Sequence, residues 1–328
     1  MTPYSLMPLE AAGLLLTDWC PALCRHCYVC AGPDRSAWMP ADAAAGHLEA
    51  LARLGVPAGG VHVGGGEPFG HFDLLLAVVR AARQAGLAGI GYVETNGYWA
   101  TSAEVVRERL AALAEAGMMQ LSISADPYHQ EFVRPERVRL LYEVACDVLG
   151  PRGVRARRWK WLQQPQDVAA MPEKDQEALF AKFLAQYPER MSGRAAECLA
   201  PLVERRTAED LPGDGCREAL LESRHVHVDP RGWVFPGTCA GIVLGRATAG
   251  SPLDVLLAQW EPAGSPILAH LVEGGPKRLL PSAARTGFEP DPKGYAGKCH
   301  LCWSVRSHLV RAEAGGSELA PADLYGGC

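Results

Sequence analysis

"GLLLTDWCPALCRHCYVC", residues 13–30, joins a short apolar run to a loop that carries four cysteines. The run is apolar on both faces, which favours a buried strand covered by helices. Cys20, Cys24 and Cys27 follow it with the spacing C-x3-C-x2-C, at the carboxyl end of the predicted strand. Ligands of α/β folds bind at this end of the strands. The stretch therefore predicts an α/β fold whose first loop carries a metal or thiol site.

A short apolar run followed by an amphipathic helix repeats through the first two thirds of the chain. Thr101 and Glu104 have the spacing of a capping box and predict where the third helix begins. About six such units suit an open or partial barrel better than the eight of a closed one. We therefore expect a partial (β/α)6 TIM-like barrel over residues 1–195. The predicted strands lie at residues 13–17, 59–63, 89–93, 119–124 and 153–159, with a weak sixth at 189–193. The predicted helices lie at residues 41–54, 71–85, 101–116, 135–149 and 172–187.

The regular pattern stops after residue 195, where Gly and Pro become frequent. Residues 225–235, "HVHVDPRGWVF", alternate around a turn, which predicts a β-hairpin. His225 and His227 alternate along this hairpin, and a place on the surface is enough to explain them. A smaller, irregular α+β domain is therefore expected over residues 196–328.

Composition and charge disfavour several classes of partner. The 328 residues carry 32 Lys and Arg against 37 Asp and Glu, so the net charge of −5 gives no basic footprint for nucleic acid. No signal peptide is visible, and no apolar stretch approaches the roughly 20 residues that cross a bilayer. We expect a cytoplasmic protein that binds neither nucleic acid nor membrane. Thiols stay reduced in the cytoplasm, and the odd count of eleven cysteines also disfavours a disulfide framework.

Three kinds of site fit the spacing of Cys20, Cys24 and Cys27. A [4Fe–4S] cluster held by three thiolates leaves one iron open for a further ligand. A zinc ion takes four ligands, and Cys30 could supply the fourth. A redox pair of the C-x2-C type is the third alternative. A ligand site at this edge of the sheet is favoured because polar residues follow the next three strands as well, at 64–68, 94–97 and 122–130.

These motifs, in this order, resemble those of the radical S-adenosylmethionine (SAM) enzymes. The resemblance rests on C-x3-C-x2-C after the first strand and "GGEP" (65–68) after the second. "TNG" (95–97) and "SGRA" (192–195) add to it, and it covers residues 12–195. It implies that the three cysteines hold a [4Fe–4S] cluster whose fourth iron is chelated by SAM.

The resemblance also implies a set of SAM-binding residues. His26 stands where the family often has an aromatic residue against the adenine, which is a mild departure. Glu67 and the glycines before it are expected to bind the amine of SAM, and Arg194 to help with its carboxylate. The whole implied set is His26, Gly65, Gly66, Glu67, Thr95, Asn96, Ser124 and Arg194.

The chemistry that the resemblance implies is reductive cleavage of SAM. The reduced cluster passes an electron to the sulfonium, and a 5′-deoxyadenosyl radical then takes hydrogen from a substrate. The protein contributes positioning and exclusion of water. The electron would come from a low-potential donor such as flavodoxin or ferredoxin.

A second set of cysteines lies in the irregular part of the chain: Cys216, Cys239, Cys299 and Cys302. Their spacing alone fits a zinc ion as well as a cluster. The arrangement resembles the twitch or SPASM extension of radical SAM enzymes, which implies an auxiliary [4Fe–4S] cluster. A full SPASM set would need more cysteines, so the smaller twitch form is favoured.

The remaining cysteines are interpreted as bystanders. Cys30 lies just outside the first pattern, Cys198 precedes the second set, and Cys328 is the last residue.

Asp126 and His129, in "ADPYHQEF", are either a hydrogen donor and base or a structural pair.

We therefore predict a radical SAM enzyme with an auxiliary cluster that performs a net oxidation or a bond-forming modification. The substrate is a peptide or a small molecule. Few residues precede the first strand, which leaves no room for a peptide-binding domain and weakens the peptide alternative. The non-enzyme alternative is a zinc-stabilised, cysteine-rich binding protein, which leaves "GGGEP" unexplained.

Overall fold

One mixed sheet organises the part of the chain that the structure, a computed structural model, describes: residues 5–164, 166–261 and 264–326. Its strands are β1 Ala11–Thr17, β2 Val61–Gly65, β3 Tyr92–Thr95, β4 Leu121–Ser124, β5 Val154–Arg157, β6 His225–Val228, β7 Trp233–Pro236 and β8 Gly245–Arg246. Their order is β5-β4-β3-β2-β1-β6-β7-β8. Strands β1 to β6 pair in parallel, and β7 and β8 return antiparallel. The predicted α/β class and partial barrel are confirmed, with an open sheet whose edges are β5 and β8.

Helices follow the first five strands and continue into the irregular part of the chain. Among the described residues, no helix is both long enough and apolar enough to cross a bilayer. The helices are α1 Ala41–Arg53, α2 Phe72–Gln84, α3 Ala103–Ala116, α4 Pro127–Gln130, α5 Pro135–Leu149, α6 Trp159–Gln163, α7 Glu173–Gln186, α8 Arg194–Cys198, α9 Arg217–Leu220, α10 Leu253–Gln259, α11 Pro266–Gly274, α12 Leu280–Ala284 and α13 Lys298–Arg311.

The two faces of the sheet differ in chemistry. Side chains alternate between the faces along each strand. Leu14, Val63 and Ile123 are completely buried in the main hydrophobic core. Most residues that alternate with them along the strands are polar, and they include Glu94 and Arg157, which form an ion pair of 3.4 Å. The sequence predicts strands that are apolar on both faces, whereas the structure gives the sheet an apolar face and a polar face.

The predicted sixth strand at residues 189–193 is wrong. This segment is a loop that leads into α8. Met191 is its only large apolar residue, and Gly193 adopts a φ of 60°, which a strand does not accommodate. The sixth parallel strand is instead β6, which pairs with β1 on the other side of the sheet. The hairpin predicted in the second domain therefore extends the barrel sheet, and the domain boundary after residue 195 stays a prediction.

Helix α3 begins one residue later than its predicted capping box. The side chain of Ser102, rather than that of Thr101, accepts a hydrogen bond from the backbone N–H of Val105 at 3.3 Å. Ser102 is extended, with φ −151° and ψ 160°, as an N-cap residue requires.

Replacing Ser102 by Ala is expected to lower the free energy of unfolding by about 1 kcal/mol, because one N–H of the first helical turn loses its partner. The matched control is Thr101→Ala, which removes an exposed hydroxyl that caps nothing. Denaturant unfolding of both variants measures the difference. A larger loss in Thr101→Ala than in Ser102→Ala would contradict the observed cap.

Candidate functional site

The loop after β1 is closed on itself by backbone hydrogen bonds. Cys20 N–H donates to Gly32 at 3.1 Å, and Gly32 N–H donates to Asp18 at 3.1 Å. A tight turn inside the loop joins Cys27 N–H to Cys24 at 3.0 Å. Cys20 and Cys24 are buried and Cys27 is partly buried. The loop therefore holds three thiols in a fixed arrangement at the carboxyl end of β1.

One cavity brings together the cysteine loop and the ends of β2, β3 and β4. Every residue predicted to hold the first cluster or SAM lines this cavity, except Glu67 and Arg194. Tyr28, Glu94 and Arg157, which are not among the predicted site residues, line it too, as does His129, for which a catalytic and a structural role were both open. The predicted residues that line it are Cys20, Cys24, His26, Cys27, Gly65, Gly66, Thr95, Asn96 and Ser124.

The glycines after β2 allow the backbone to approach the cysteine loop closely. Gly65 adopts a φ of 114°, and a Cβ atom on Gly66 would lie 1.9 Å from the carbonyl oxygen of Trp19. Gly66 N–H donates to Thr17 at 2.7 Å and Glu67 N–H donates to Trp19 at 2.8 Å. A side chain at Gly66 would push the two loops apart. The glycines thus set the distance between the β2 end and the thiols.

Glu67 lies behind the cavity wall and is completely buried. Its carboxylate accepts hydrogen bonds from the hydroxyl of Thr95 at 2.9 Å, from Asn96 N–H at 2.7 Å and from Phe69 N–H at 3.2 Å. Burial raises the pKa of this carboxyl to about 7, against the opposing effect of these donors. Glu67 therefore ties the end of β3 to the turn after β2, and its oxygens have protein partners already.

Arg194, at the start of α8, braces the cysteine loop from its far side. Its buried guanidinium donates to the carbonyl oxygens of Cys24 at 3.1 Å and Ala31 at 2.9 Å. Its backbone N–H donates to Cys27 at 3.0 Å. The side chain is only 4% exposed and does not line the cavity. Arg194 thus positions the loop rather than presenting its charge to the cavity.

The thiols of the loop lie in each other's electric field. Burial, followed by the nearby Cys24, raises the pKa of the Cys20 thiol far above its usual range. Burial also raises the pKa of Cys24, whereas the neighbouring His129 opposes the rise. Thiolates clustered in a buried place need a cation among them. The donor set therefore fits an iron–sulfur cluster or another thiophilic metal.

A cluster of aromatic and charged side chains lies beside Cys24, and it includes two histidines, a tyrosine and an aspartate. His26 stacks on Tyr128 with ring centroids 4.9 Å apart, so one face of the imidazole is already covered. Burial lowers the pKa of His26 to about 4. His129 shares its Nδ1 with both carboxylate oxygens of Asp126 at 2.8 Å, and Asp126 also caps α4. Asp126 and His129 are thus a structural pair whose imidazole also faces the thiol of Cys24.

The four cysteines of the second set line one cavity of their own. Cys216 precedes α9, Cys239 follows the β6–β7 hairpin, and Cys299 and Cys302 lie on the first turns of α13. Burial, followed by Cys302, raises the pKa of Cys216 to about 12. Cations surround the thiols in this cavity, whose basic lining residues are Arg190, Lys298 and Arg306.

Two of these cations are held against the cysteines. The Arg190 guanidinium donates to the sulfur of Cys239 at 3.1 Å. Arg306 is 2% exposed and donates to the carbonyl oxygen of Ala240 at 3.0 Å and to the hydroxyl of Tyr325. Guanidinium groups beside four buried or partly buried cysteines favour a bound group with net negative charge.

Two further cysteines of the described chain, Cys30 and Cys198, line neither cavity. Cys30 is disulfide-bonded, so it is not available as a fourth ligand of a zinc ion at the first loop. Cys198 is a free, partly buried thiol at the end of α8. Cys328 lies outside the described residues.

His225 and His227 differ from their interpretation as surface residues. The structure turns both rings toward His62 of β2, and His227 is only 3% exposed. No local pattern indicates this cluster, because the pairing of β6 with β1 joins segments that are far apart in the chain.

Known proteins were compared with the chain and its structure. A sequence model of the radical SAM superfamily matches residues 14–150. No curated protein matches the chain. Among solved structures, BtrN in complex with AdoMet and 2-DOIA is 14% identical over 81% of this chain and 88% of its own, with a TM-score of 0.41. PhdJ bound to a substrate intermediate is 12% identical over 99% of this chain and 95% of its own, with a TM-score of 0.22.

Neither of these two scores supports a conclusion about the present chain. The superfamily match, in contrast, includes the cysteine loop, the glycine turn and the ends of β3 and β4 that line the first cavity. Residues 14–150 of this chain are therefore similar to a radical SAM domain.

Proposed function

We propose that the chain is a radical SAM enzyme with a second, auxiliary [4Fe–4S] cluster, and that it oxidises its substrate or forms a new bond in it. The observation that carries the proposal is the presence of two separate cavities, each lined by its own set of cysteines. The first has three thiols, which leaves a metal position open, and the second has four, which closes it.

The first cavity has the parts that SAM requires. Cys20, Cys24 and Cys27 would hold the cluster, which supplies the electron that cleaves SAM to the radical that abstracts hydrogen. Main-chain groups of Gly65 and Gly66 border the same space, and a side chain on either glycine would collide with the backbone of β1 or of the loop after it. Thr95, Asn96 and Ser124 would face the ribose and carboxylate of SAM. His26 would offer the adenine the ring face that Tyr128 leaves uncovered.

In this proposal Glu67 and Arg194 do not contact SAM directly, in contrast to what the resemblance implies. The carboxylate of Glu67 has three protein donors, and the guanidinium of Arg194 has two carbonyl acceptors. Both side chains would act on SAM through the loops that they hold in place.

The second cavity supports the auxiliary cluster. Its four thiols would hold the cluster, and Arg190 would stabilise the added negative charge through its contact with Cys239. Such a cluster would accept an electron from the substrate radical, and this role gives a net oxidation.

The polar face of the sheet supplies the substrate-binding region in this proposal. Glu94 and Arg157 line the first cavity with opposite charges, and the side chain of Arg157 is 54% exposed. A peptide or a small molecule with polar groups fits such a surface. A low-potential flavodoxin or ferredoxin would deliver the electron for each turnover.

The test is to count iron and sulfide per chain after anaerobic reconstitution. We expect about eight irons in the wild type and about four when Cys20, Cys24 and Cys27 are all replaced by Ala. Replacing Cys216, Cys239, Cys299 and Cys302 by Ala is expected to leave the other four. Only proteins that retain Cys20, Cys24 and Cys27 should form 5′-deoxyadenosine from SAM under reducing conditions.

Three results would overturn parts of the proposal. Four irons in the wild type and none in the variant without Cys20, Cys24 and Cys27 would show that the second set holds no cluster, and would favour a zinc ion there. Substrate turnover that survives the loss of the second set would remove its redox role. No iron in any of the proteins would favour the zinc-stabilised binding protein.

A further inference from the structure

Three histidines converge on the polar face of the sheet, and none of them lines either cysteine cavity. His62 of β2 pairs in register with Gly13 of β1, and Gly13 pairs with His227 of β6. His225 lies two residues before His227, and therefore on the same face. The three ring centroids lie 4.4, 5.2 and 5.3 Å apart.

Gly13 makes this convergence possible. A Cβ atom at this position would lie 2.4 Å from the ring of His227 and 2.5 Å from Nε2 of His62. The two rings therefore lean over the backbone of the central strand into space that any other residue would fill. His62, Gly13 and His227 lie side by side across β2, β1 and β6. The glycine lets the two imidazoles meet although β2 and β6 are not neighbours.

We propose that His62, His225 and His227 bind a divalent transition-metal ion such as Zn²⁺. One nitrogen of each ring lies within 4.8 Å of the other two. Tetrahedral bonds of about 2.0–2.1 Å place ligand nitrogens roughly 3.4 Å apart, which small ring rotations would reach. This proposal rests on other residues than the radical SAM site does.

The hydrogen bonds of the rings leave nitrogens for a metal. Nδ1 of His227 donates to the carbonyl oxygen of Gly237, so Nε2 is left as the ligand atom. A backbone carbonyl on the second nitrogen is the usual way to orient a metal-binding histidine. Nε2 of His225 is buried and has no hydrogen-bond partner among the described residues. A metal ion would satisfy this nitrogen.

The surroundings keep the rings in the form that a metal requires. Burial lowers the pKa of His62, His225 and His227, which favours the neutral imidazole that a metal ion binds. His62 stacks on Tyr92 at 4.7 Å, which fixes the plane of its ring.

The site would keep one coordination position open. Three histidine ligands and a free position are typical of catalytic rather than structural zinc sites. The guanidinium of Arg155 lies over the ring of Tyr92 at 5.2 Å and adds a positive charge next to His62. An anionic group, such as a carboxylate, would therefore be the fitting fourth ligand.

The experiment measures Zn²⁺ and Co²⁺ binding to the anaerobically reconstituted protein, in which the cluster cysteines are occupied. We expect one Zn²⁺ per chain in addition to the iron. Co²⁺ should give the visible bands of imidazole ligation without the intense near-ultraviolet band of a thiolate ligand. His62→Phe, which keeps the ring stack on Tyr92, should weaken binding at least about 100-fold.

Two further variants keep the test decisive if His62→Phe is poorly folded. His225→Phe replaces a partly exposed ring, and Gly13→Ala removes no ligand but forces the rings apart. Both should lose the ion. His47→Phe is the control, because His47 is a buried histidine on α1 outside the cluster. No zinc beyond the clusters in the wild type, or zinc retained in His225→Phe and Gly13→Ala, would overturn the proposal.

Discussion

Replacing Glu67 by Ala is expected to lower the free energy of unfolding of the metal-free protein by about 4 kcal/mol, since each buried donor left without a partner costs about 1–3 kcal/mol. Three donors would lose their acceptor: the hydroxyl of Thr95 and the backbone N–H groups of Asn96 and Phe69. Denaturant unfolding under reducing conditions and without SAM measures the loss.

The control for this prediction is Glu94→Ala, which removes a carboxylate from the lining of the same cavity. Its ion pair with Arg157 is long and largely exposed, so little stability should be lost. Glu67→Gln should fall between the two, because the amide can accept from some of the donors but not from all. Unchanged stability in Glu67→Ala, together with lost SAM binding, would show instead that Glu67 contacts SAM directly.

Replacing Arg194 by Ala is expected to release most of the iron from the first cysteine set and to leave the iron of the second. The carbonyl oxygens of Cys24 and Ala31 would lose a buried, charged donor, which lowers the free energy of unfolding by about 3 kcal/mol. The loop would then no longer hold its thiols in one arrangement. Iron per chain and the unfolding midpoint are the two measurements.

The matched control is Arg157→Ala, which removes a half-exposed guanidinium from the same cavity. Iron content should be unaffected there, since Arg157 donates to neither the cysteine loop nor α8. Full iron content in Arg194→Ala would refute the bracing role. Rescue of the iron by Arg194→Lys, which can reach one of the two carbonyl oxygens, would support it.

Much of the first site could be predicted because its residues follow strands directly. Cys20, Gly65, Asn96 and Ser124 are each close to the end of an apolar run, and parallel strands bring their carboxyl ends to one edge. The four cysteines of the second set could be grouped from their types alone. Local pattern and residue type are therefore enough to predict these residues of the two cavities.

The directions of side chains could not be predicted in the same way. Glu67 and Arg194 have the residue types that would contact SAM, yet Glu67 accepts hydrogen bonds from the end of β3 and Arg194 donates to carbonyl oxygens of the cysteine loop. The position of the helix cap depends on which residue, Thr101 or Ser102, adopts the extended backbone conformation before the first helical turn. Whether a polar side chain faces a ligand or a neighbouring loop depends on tertiary packing, which a local pattern does not contain.

The missing sixth strand and the three histidines have a common cause. Local pattern places residues 189–193 in the sheet as the next segment along the chain. The true neighbour of β1 is β6, so both the strand order and the place of His225 and His227 depend on a long-range pairing.

The pairing of β1 with β6 also has a consequence for how the protein forms. It joins residue 11 to residue 225, so the strand made first waits for a partner that leaves the ribosome much later. Contacts of such sequence separation slow folding, and an unpaired edge invites association with other chains. A fragment that stops at residue 195 would keep that edge open permanently. The half of the molecule that carries the first cysteine loop thus depends on the other half for its completion.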